Sequence, residues 1–467
     1  MVIEKKLEFI ESKKKQDTTT KGYKRLLKLF DGEQFTEINA FVKSGDNYAE
    51  VVTGYGLVNG QPVYAFSQDT DRDGGAISIA QLKKIKNIYN LALKTGIPVI
   101  GIYDSIGARL TQGNEMLSEY SEILKLSNNL SGVIPQISLV MGTCLGTNAV
   151  LAACADFVIA NKSAELGIKT NGDDASIQQA EREGIVHIVA NNEVETIGYA
   201  KKLISIFPSN NLEQSKDHEY EETMDGYMEL SSLSKRINNS NDKELMRKLV
   251  VSISDTKSFI EIQKNYGAKV ITGFGRIGGI AVGFISSNNF EDSTIDAVSC
   301  SKAARMMNFC DAFSIPVITV VNSKGFSSLK EASMLSSVYA ESTTAKVTLL
   351  VGDCFGSLYI SVVGNGVNSD VTIAWPTAVI SPLCPETAVQ VLLNSKMKEL
   401  KDPINDRKKL VEAYKETQGS AFLAASEGFV DDIICPKDTR GSILLALDFL
   451  KSKRESTLPK KHSNIQL

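Results

Sequence analysis

The chain has 467 residues, of which 43% are hydrophobic and 23% are charged, and its formal net charge is −4. This length and composition are typical of a globular protein with two domains, each with its own core. The net charge provides no basic surface of the kind that nucleic acids require, so we expect no nucleic-acid partner.

The seven cysteines include no Cys-x-x-Cys pair, and the chain has three histidines. We therefore expect neither a disulfide framework nor a metal site. The first residues, 1–6, carry charge and lack the apolar core of a signal peptide. The longest apolar stretch, residues 133–160, contains Asp156 and fits a buried strand, turn and helix better than a membrane span. These features predict a cytoplasmic protein.

The first half of the chain alternates between strand and helix patterns. Residues 1–45 are rich in lysine and favour helix. Two apolar runs, 51–58 and 63–66, flank Asn59-Gly60, which is a strong β-hairpin signal. The apolar spacing then predicts, in order, a helix at 79–95, a strand buried on both faces at 97–103, a helix at 114–127, a strand at 136–141, a glycine-rich turn at 142–146 and a helix from Thr147.

A polar segment, residues 208–226, separates the two halves and reads as an exposed linker. We place the domain boundary between residues 229 and 230, so the predicted domains are 1–229 and 230–467. The second half repeats the order of the first. It predicts strands at 268–275 and 280–285, a helix at 296–313, buried strands at 317–321 and 347–351, a glycine-rich turn at 352–356 and a further helix.

The two halves also repeat in sequence. Four segments recur in the same order at offsets between 210 and 219 residues. They are Gly54-Tyr55-Gly56 with Gly273-Phe274-Gly275, Ile97-Pro98-Val99-Ile100 with Ile315-Pro316-Val317-Ile318, Gly142-Thr143-Cys144-Leu145-Gly146 with Gly352-Asp353-Cys354-Phe355-Gly356, and Asp156 with Asp370. A repeat of this length is a whole domain rather than a solenoid unit. The pattern predicts an α/β fold with two similar domains in tandem.

The strongest candidates for chemistry are the two glycine-rich turns. In each, an apolar strand is predicted to end in Gly-x-Cys-x-Gly before a helix begins. Peptide N–H groups at such a start have no acceptor inside the helix. Two of them can hold a carbonyl oxygen that becomes an oxyanion or enolate. The alternative is a tight packing turn without catalytic meaning, and the residues alone leave both open.

Two loops offer weaker candidates. Arg109 follows the strand at 97–103, where ligands of open α/β sheets bind; it could meet a phosphate or carboxylate, or pair with an acidic neighbour. Gly74-Gly75 precedes a predicted helix and could host an anion there, or have no function. His187 and Trp375 read as core residues, and Asp156 and Asp370 as caps of local backbone. With no Ser-His-Asp set or Walker loop, backbone oxyanion chemistry remains.

Several motifs resemble the carboxyltransferase subunits of biotin-dependent acyl-CoA carboxylases and decarboxylases, such as the propionyl-CoA carboxylase β subunit and the methylmalonyl-CoA decarboxylase α subunit. They include Asp104-Ser105, Gly107-Ala108-Arg109, Lys302-Ala303-Ala304-Arg305 and Ala374-Trp375-Pro376-Thr377-Ala378. The same resemblance extends to residues 60–69, 74–75, 132–136, 309–313, 427–434 and 460–464. It covers roughly residues 25–467.

The resemblance implies two tandem crotonase-like β-β-α superhelical domains and an active site where two protomers meet. It implies acyl-CoA on the first domain and carboxybiotin, borne on a separate biotin carboxyl carrier protein, on the second. The other implied partners are biotin carboxylase or membrane decarboxylase subunits and further copies of the chain, as a dimer or a trimer of dimers.

The resemblance also implies roles for individual residues. Gly146 and Thr147 would hold the acyl-CoA enolate through their N–H groups. Ser357 and Leu358 would hold the biotin carbonyl, and Ile360 would tune acyl size. The remaining substrate-binding residues implied by the matching loops are Gly74, Gly75, Gly107, Ala108 and Arg109.

The chain also departs from this family. Gly-Gly is replaced by Gly146-Thr147, and Gly-Ala by Ser357-Leu358. The segment after Phe326 is shortened to residues 327–337, and the region after Ile168 is shortened too. Two alternatives therefore stay open: a catalytically weak paralogue that scaffolds a carboxylase or decarboxylase complex, and a crotonase-like enzyme that acts on acyl-CoA without biotin.

Overall fold

The computed structural model describes residues 2–70, 73–168, 175–220, 225–237, 242–288, 293–393 and 402–464. The chain divides into two compact units, Met1–Ser215 and Lys216–Leu467. The division falls inside the polar segment 208–226, earlier in the chain than the predicted boundary. Over the ranges just given, no helix is long and apolar enough to cross a membrane.

The first unit combines seven helices and ten strands among its described residues. The strands are β1 Thr36–Glu37, β2 Lys43–Ser44, β3 Asn47–Tyr48, β4 Val52–Val58, β5 Gln61–Ser67, β6 Val99–Ser105, β7 Gln136–Leu145, β8 Phe157–Asn161, β9 Glu165–Gly167 and β10 Ile188–Ala190. The helices are α1 Val2–Asp17, α2 Lys21–Leu29, α3 Ile79–Thr95, α4 Glu115–Leu130, α5 Thr147–Ala153, α6 Ile177–Arg182 and α7 Glu193–Ile206.

The second unit has the same plan. Its strands are β11 Ile260–Ile262, β12 Val270–Ile277, β13 Ile280–Ser287, β14 Thr294–Ile295, β15 Val317–Ser323, β16 Gly325–Phe326, β17 Lys346–Phe355, β18 Val371–Ala374, β19 Val379–Ser381 and β20 Asp432–Ile433. Its helices are α8 Asp225–Ser234, α9 Leu245–Ile253, α10 Ala297–Ala312, α11 Leu329–Glu341, α12 Gly356–Leu358, α13 Pro385–Leu392, α14 Pro403–Glu416, α15 Ala421–Ser426 and α16 Thr439–Leu450.

The two main sheets have matching strand orders. In the first unit the order is β1-β4-β5-β6-β7-β8-β10, and in the second it is β11-β12-β13-β15-β17-β18-β20. In each sheet the first three strands are antiparallel and the rest pair in parallel. The predicted repeat is therefore a repeat of the fold.

Local sequence signals place the first hairpin and helix correctly. Asn59 and Gly60 both have positive φ angles, of 49° and 74°, as the tight turn between two twisted strands requires. Helix α3 begins after Ser78, whose side chain accepts from the Gln81 N–H, and it ends at Gly96, which has a φ of 64°. These caps explain why the predicted bounds of this helix are confirmed.

The helix expected over residues 1–45 is wrong beyond Leu29, because strands β1 and β2 lie there and pair with β4 and β3. The glycine-rich turn is also wrong in each unit. Residues 142–146 were expected to form a turn, but strand β7 continues to Leu145. Its first half, Ile137 to Val140, pairs with β8, whereas Thr143 to Leu145 pair with β9. Strand β17 divides in the same way between β18 and β19. The second partner strand comes from a distant part of the chain, so local patterns do not reveal it.

Helix α10 shows how the second core is packed. The sequence spacing of Ala303, Met306, Met307 and Cys310 predicts one apolar face of this helix, and all four are buried. Burying a side chain of methionine size contributes about 1.5–3 kcal/mol. The helical spacing alone was enough to identify this face.

Four polar residues have the structural roles that their setting predicts. Asp156 accepts from the Gln136 N–H, and Asp370 accepts from the Lys346 N–H, each at 2.8 Å. The Val158 N–H donates to His187 Nδ1 at 3.0 Å. Buried Trp375 donates from Nε1 to Thr439 Oγ1 at 2.8 Å. All four predictions of local capping or core packing are confirmed.

Each unit buries a lysine at the equivalent place. Lys84 Nζ donates to the Val51 carbonyl at 2.5 Å. Lys302 Nζ donates to the carbonyls of Gln263, Tyr266 and Val270 at 2.8–2.9 Å. Burial lowers the pKa of Lys84 to about 8 and that of Lys302 to about 7, because an apolar interior disfavours the ammonium form.

Candidate active site

The first corner, residues 145–148, connects strand β7 to helix α5. Gly146 has a φ of 63° and a ψ of −134°, a conformation that residues with a Cβ rarely adopt. Thr147 is the first residue of α5, and the first N–H groups of a helix have no acceptor within it. The corner therefore turns the chain sharply and leaves a peptide donor at its outer side.

The Gly146 N–H itself donates to the Gly167 carbonyl of β9 at 2.9 Å. The sequence led us to expect that both Gly146 and Thr147 would present N–H groups to a ligand. In this structure the N–H of Gly146 has a protein acceptor, which leaves Thr147, the first residue of α5, as the remaining predicted donor. The ligand-binding role of Gly146 stays a prediction.

Two glycine loops lie beside the first corner. Gly107 has a φ of 114°, and a Cβ added to it would lie 3.6 Å from the Leu145 carbonyl oxygen. A Cβ added to Gly74 would lie 3.1 Å from Ile106 Cδ1, and one added to Gly75 would lie 2.9 Å from the Asp104 carbonyl oxygen. The fold thus brings three glycine-containing segments, far apart in sequence, to one place.

Gly74-Gly75 precedes helix α3, as predicted, but does not adjoin its start. These residues form a 3₁₀ turn, Asp73–Gly75, and helix α3 begins later, at Ile79. Ile77, between the two elements, pairs instead with Ala108 in an isolated β-bridge. The bridge ties the Gly74-Gly75 loop to the Gly107-Ala108 loop.

Arg109 is half-buried and turns towards protein groups. Its Nη2 lies 3.6 Å from Glu50 Oε1, and its Nη1 donates to Ser44 Oγ at 3.4 Å. The sequence left open whether Arg109 meets a phosphate or carboxylate or pairs with an acidic neighbour. In this structure it pairs with Glu50. Binding of a phosphate by Arg109 stays a prediction.

A charge cluster lies behind the first corner, with Arg25 and Asp104 buried and Lys21 and Glu193 partly exposed. Asp104 Oδ2 lies 2.9 Å from Arg25 Nη1 and 3.0 Å from Lys21 Nζ, and Arg25 Nη2 lies 2.5 Å from Glu193 Oε1. Burial alone would lower the pKa of Arg25, but the hydrogen bonds and charges of Glu193 and Asp104 outweigh it, so the pKa is raised and Arg25 stays charged.

Gly142 makes room for this cluster, since a Cβ there would lie 2.0 Å from Asp104 Oδ1. Sequence reasoning missed the cluster. The only local signal was a glycine inside an apolar strand, which often marks a close approach by another group.

The second corner, residues 355–358, connects strand β17 to helix α12. Gly356 has a φ of 44°, and a Cβ on it would lie 2.6 Å from the Pro382 carbonyl oxygen. Ser357 is exposed, whereas Leu358 is buried. The helix is short and continues as a π-helix, Tyr359–Val363, a conformation that is frequent at functional sites.

A cavity of about 450 Å³ opens beside the second corner. Ile360 contributes to its wall and is 68% exposed. Asn368 Nδ2 donates to the Ile360 and Ser361 carbonyls at 2.8 and 3.0 Å, which satisfies carbonyl groups next to the π-helix. Tyr359 Oη donates to the Phe429 carbonyl at 2.7 Å across the same wall. The cavity is mainly apolar, with Glu427 and Gln418 at its edge.

An equivalent cavity of about 670 Å³ lies beside the first corner, with Val150 in the place of Ile360. Most of the shortened segment, residues 329–337, belongs to helix α11. The other shortened region, after Ile168, begins with residues 169–174, which lie outside the described residues.

The fold and the two corners define a class of protein: an enzyme of two tandem crotonase-like domains, each with a strand–glycine–helix corner. A search with family models identifies it further. The carboxyl transferase domain model matches residues 19–465, so the chain belongs to the carboxyl transferase family.

The relatives agree with this assignment. The methylmalonyl-CoA decarboxylase subunit alpha of Propionigenium modestum is 32% identical and covers 100% of both chains. The propionyl-CoA carboxylase beta chain of Saccharopolyspora erythraea is 35% identical over 89% of this chain and 83% of its own. The transcarboxylase 12S structure with hydrolysed methylmalonyl-coenzyme A superposes with a TM-score of 0.89, at 29% identity, over 97% of this chain and 94% of that one. The family resemblance and the tandem fold are confirmed.

Proposed function

We propose that this protein moves a carboxyl group between biotin, borne on a carrier protein, and a small acyl-CoA of the propionyl-/methylmalonyl-CoA or acetyl-/malonyl-CoA type. The observation that carries the proposal is the meeting of the Gly74, Gly107 and Thr147 segments at the first corner. Glycines there let a thioester approach the backbone closely. The Thr147 N–H is the donor that we assign to the thioester oxygen.

The chemistry at the first corner follows from charge. When the α-proton of an acyl-CoA leaves, negative charge develops on the thioester oxygen. A fixed peptide N–H stabilises that charge more than it stabilises the neutral ground state, and it needs no reorganisation. The balanced ion pairs behind the corner fix the strand end without leaving a net buried charge beside the developing oxyanion.

The second corner fits biotin in two respects. Ser357 and Leu358 follow a glycine turn, where peptide N–H groups suit a carbonyl oxygen such as that of a ureido ring. The adjoining cavity, mainly apolar and about 450 Å³ in volume, suits the fused ring system. Biotin, when bound, would supply or accept the carboxyl group, and these residues would orient its ring and limit water around it.

The partners follow from the same proposal. A biotin carboxyl carrier protein would deliver the biotin, and biotin carboxylase or decarboxylase subunits would complete the cycle. Assembly into homo-oligomers is part of the proposal. The transcarboxylase 12S relative is described as a hexamer, which supports it.

The test is decarboxylation of malonyl-CoA or methylmalonyl-CoA by the purified protein in the presence and absence of free biotin. We expect loss of CO2 that depends on biotin, and the faster substrate names the acyl class. Binding of the CoA ester without turnover would overturn the proposal and favour a scaffolding paralogue. Turnover at the same rate with and without biotin would favour biotin-independent chemistry.

A further inference from the structure

Two buried amide side chains face each other at the first corner. Gln68 Nε2 donates to Asn148 Oδ1 at 3.0 Å, and Asn148 Nδ2 donates back to Gln68 Oε1 at 3.0 Å. Gln68 is 1% exposed and Asn148 is 0% exposed. We call these two residues the amide pair. Reciprocal hydrogen bonds of this kind fix the orientation of both side chains, because each amide has its donor and acceptor used together.

The amide pair connects the corner to the charge cluster. Asn148 is the second residue of helix α5, immediately after Thr147. Gln68 Oε1 also accepts from the Asp104 N–H at 3.1 Å, and the Gln68 carbonyl accepts from Arg25 Nη1 at 3.4 Å. The helix start is thus tied, through Gln68, to the strand that carries Asp104.

The second corner lacks the amide pair at the matching positions. There Ser287 Oγ accepts from the Asn322 N–H at 2.7 Å, the counterpart of the contact between Gln68 and Asp104. The residue equivalent to Asn148 is Leu358, which is buried. The same position can therefore be filled without an amide where a short helix follows and continues as a π-helix. Its presence at one corner only points to a demand of that corner's ligand.

Resting on the proposed function, we propose that Gln68 and Asn148 are positioning residues for the oxyanion. They hold the start of helix α5 so that the Thr147 N–H points at the thioester oxygen. A misplacement of a catalytic donor by about 1 Å can cost about 10²-fold in rate. An apolar pair of the same shape would pack but would not fix the rotation of the helix start.

The experiment separates positioning from stability by using matched substitutions. Asn148→Leu imports the residue of the second corner, and Gln68→Met keeps the shape of glutamine. Each single variant leaves one buried amide without its partner and should lower the melting temperature. The double variant removes both side-chain amides but still leaves the Asp104 N–H without the acceptor that Gln68 Oε1 provides, so we expect it to recover only part of the stability. We expect kcat for biotin-dependent decarboxylation of methylmalonyl-CoA to stay about 10- to 100-fold low in the double variant, with KM nearly unchanged.

Gln136 provides the control. It forms a similarly buried side-chain hydrogen bond with Ser127, at 2.8 Å, at the opposite end of strand β7. Gln136→Met should lower the melting temperature but leave kcat close to that of the wild type. If the double variant recovers kcat along with its stability, the amide pair is structural only and the inference is overturned.

Amide hydrogen exchange gives a readout that does not depend on activity. We expect peptides that cover residues 142–150 to exchange faster in the double variant, with no change around residues 352–360. If the wild type itself fails to turn over substrate, the proposed function is overturned. The exchange result still tests whether the amide pair holds the corner, because unchanged protection of residues 142–150 in the double variant would reject that role.

Discussion

The two corners occupy the same place in the repeated fold but differ in the helix that follows and in how it is held. At the first, Asn148 is locked by Gln68 above a cluster of buried ion pairs. At the second, Leu358 is buried and the helix continues as a π-helix beside a mainly apolar cavity. A polar lock suits a donor that must meet a developing charge, whereas a mainly apolar cavity suits a neutral ring. One duplicated fold can therefore serve two ligands.

The largest expected effect comes from deleting the first donor. Thr147→Pro removes the N–H at the first helical position, where proline is tolerated. Because a lost oxyanion donor typically costs about 10²–10³ in rate, we expect kcat for decarboxylation to fall by about that factor. Thr147→Ala keeps the N–H and should remain close to the wild type. Equal losses in both variants would show that the side chain, not the donor, matters.

The same substitution at the second corner should have a smaller effect. Ser357→Pro deletes an N–H that faces a less charged carbonyl oxygen, so we expect a loss of about 10-fold to 10²-fold in biotin-dependent rate. Binding of the CoA ester, measured by calorimetry, should not change. Ser357→Ala is the control. A weakened affinity for the ester would contradict the assignment of this corner to biotin.

A third comparison concerns the buried lysines. The pKa of Lys302 is about 7 in the folded protein and about 10.4 in an unfolded chain. Between these values the unfolded state binds the extra proton, so this residue makes folding more favourable as pH rises, by at most ~1.4 kcal/mol per pH unit. We expect the free energy of unfolding of the wild type to rise, relative to that of Lys302→Met, from pH 7 to 10.

Denaturant titrations followed by the fluorescence of Trp375, the single tryptophan, would measure unfolding of the second unit. Lys84 lies in the first unit, which has no tryptophan, so unfolding of that unit would be followed by circular dichroism. Because the pKa of Lys84 is about 8, the rise should begin about one pH unit higher. If the difference in free energy of unfolding between the wild type and Lys302→Met stays constant from pH 7 to 10, Lys302 remains protonated in the folded protein.

The smallest expected effect is a change of preference. If the acyl group reaches Ile360 in the wall of the cavity that we assign to biotin, Ile360→Asp should alter the ratio of rates on acetyl-CoA and propionyl-CoA, by about 10-fold or less. Val367, in the same unit and 74% exposed, gives a control in Val367→Asp. The ratio should stay at the wild-type value there. An unchanged ratio in both variants would remove Ile360 from the site.

Much of the fold could be predicted because its signals are local. Helix α3 was bounded by the caps Ser78 and Gly96, and the hairpin by Asn59-Gly60. The glycine-rich segment 142–146 misled us because strand β9, which pairs with its second half, lies about 20 residues further along the chain. The amide pair was invisible for the same reason, since Gln68 and Asn148 are separated by 80 positions.

The sequence by itself determined the duplication, the α/β order of elements and the family, because repeated motifs and hydrophobic periods are written in neighbouring residues. Only the tertiary structure decided which N–H groups are already used, how Arg109 is paired, and what lies behind each corner. Those outcomes depend on contacts between distant segments, such as Gly146 with Gly167 and Arg25 with Asp104. Burial and hydrogen-bond geometry, not local preference, fix them.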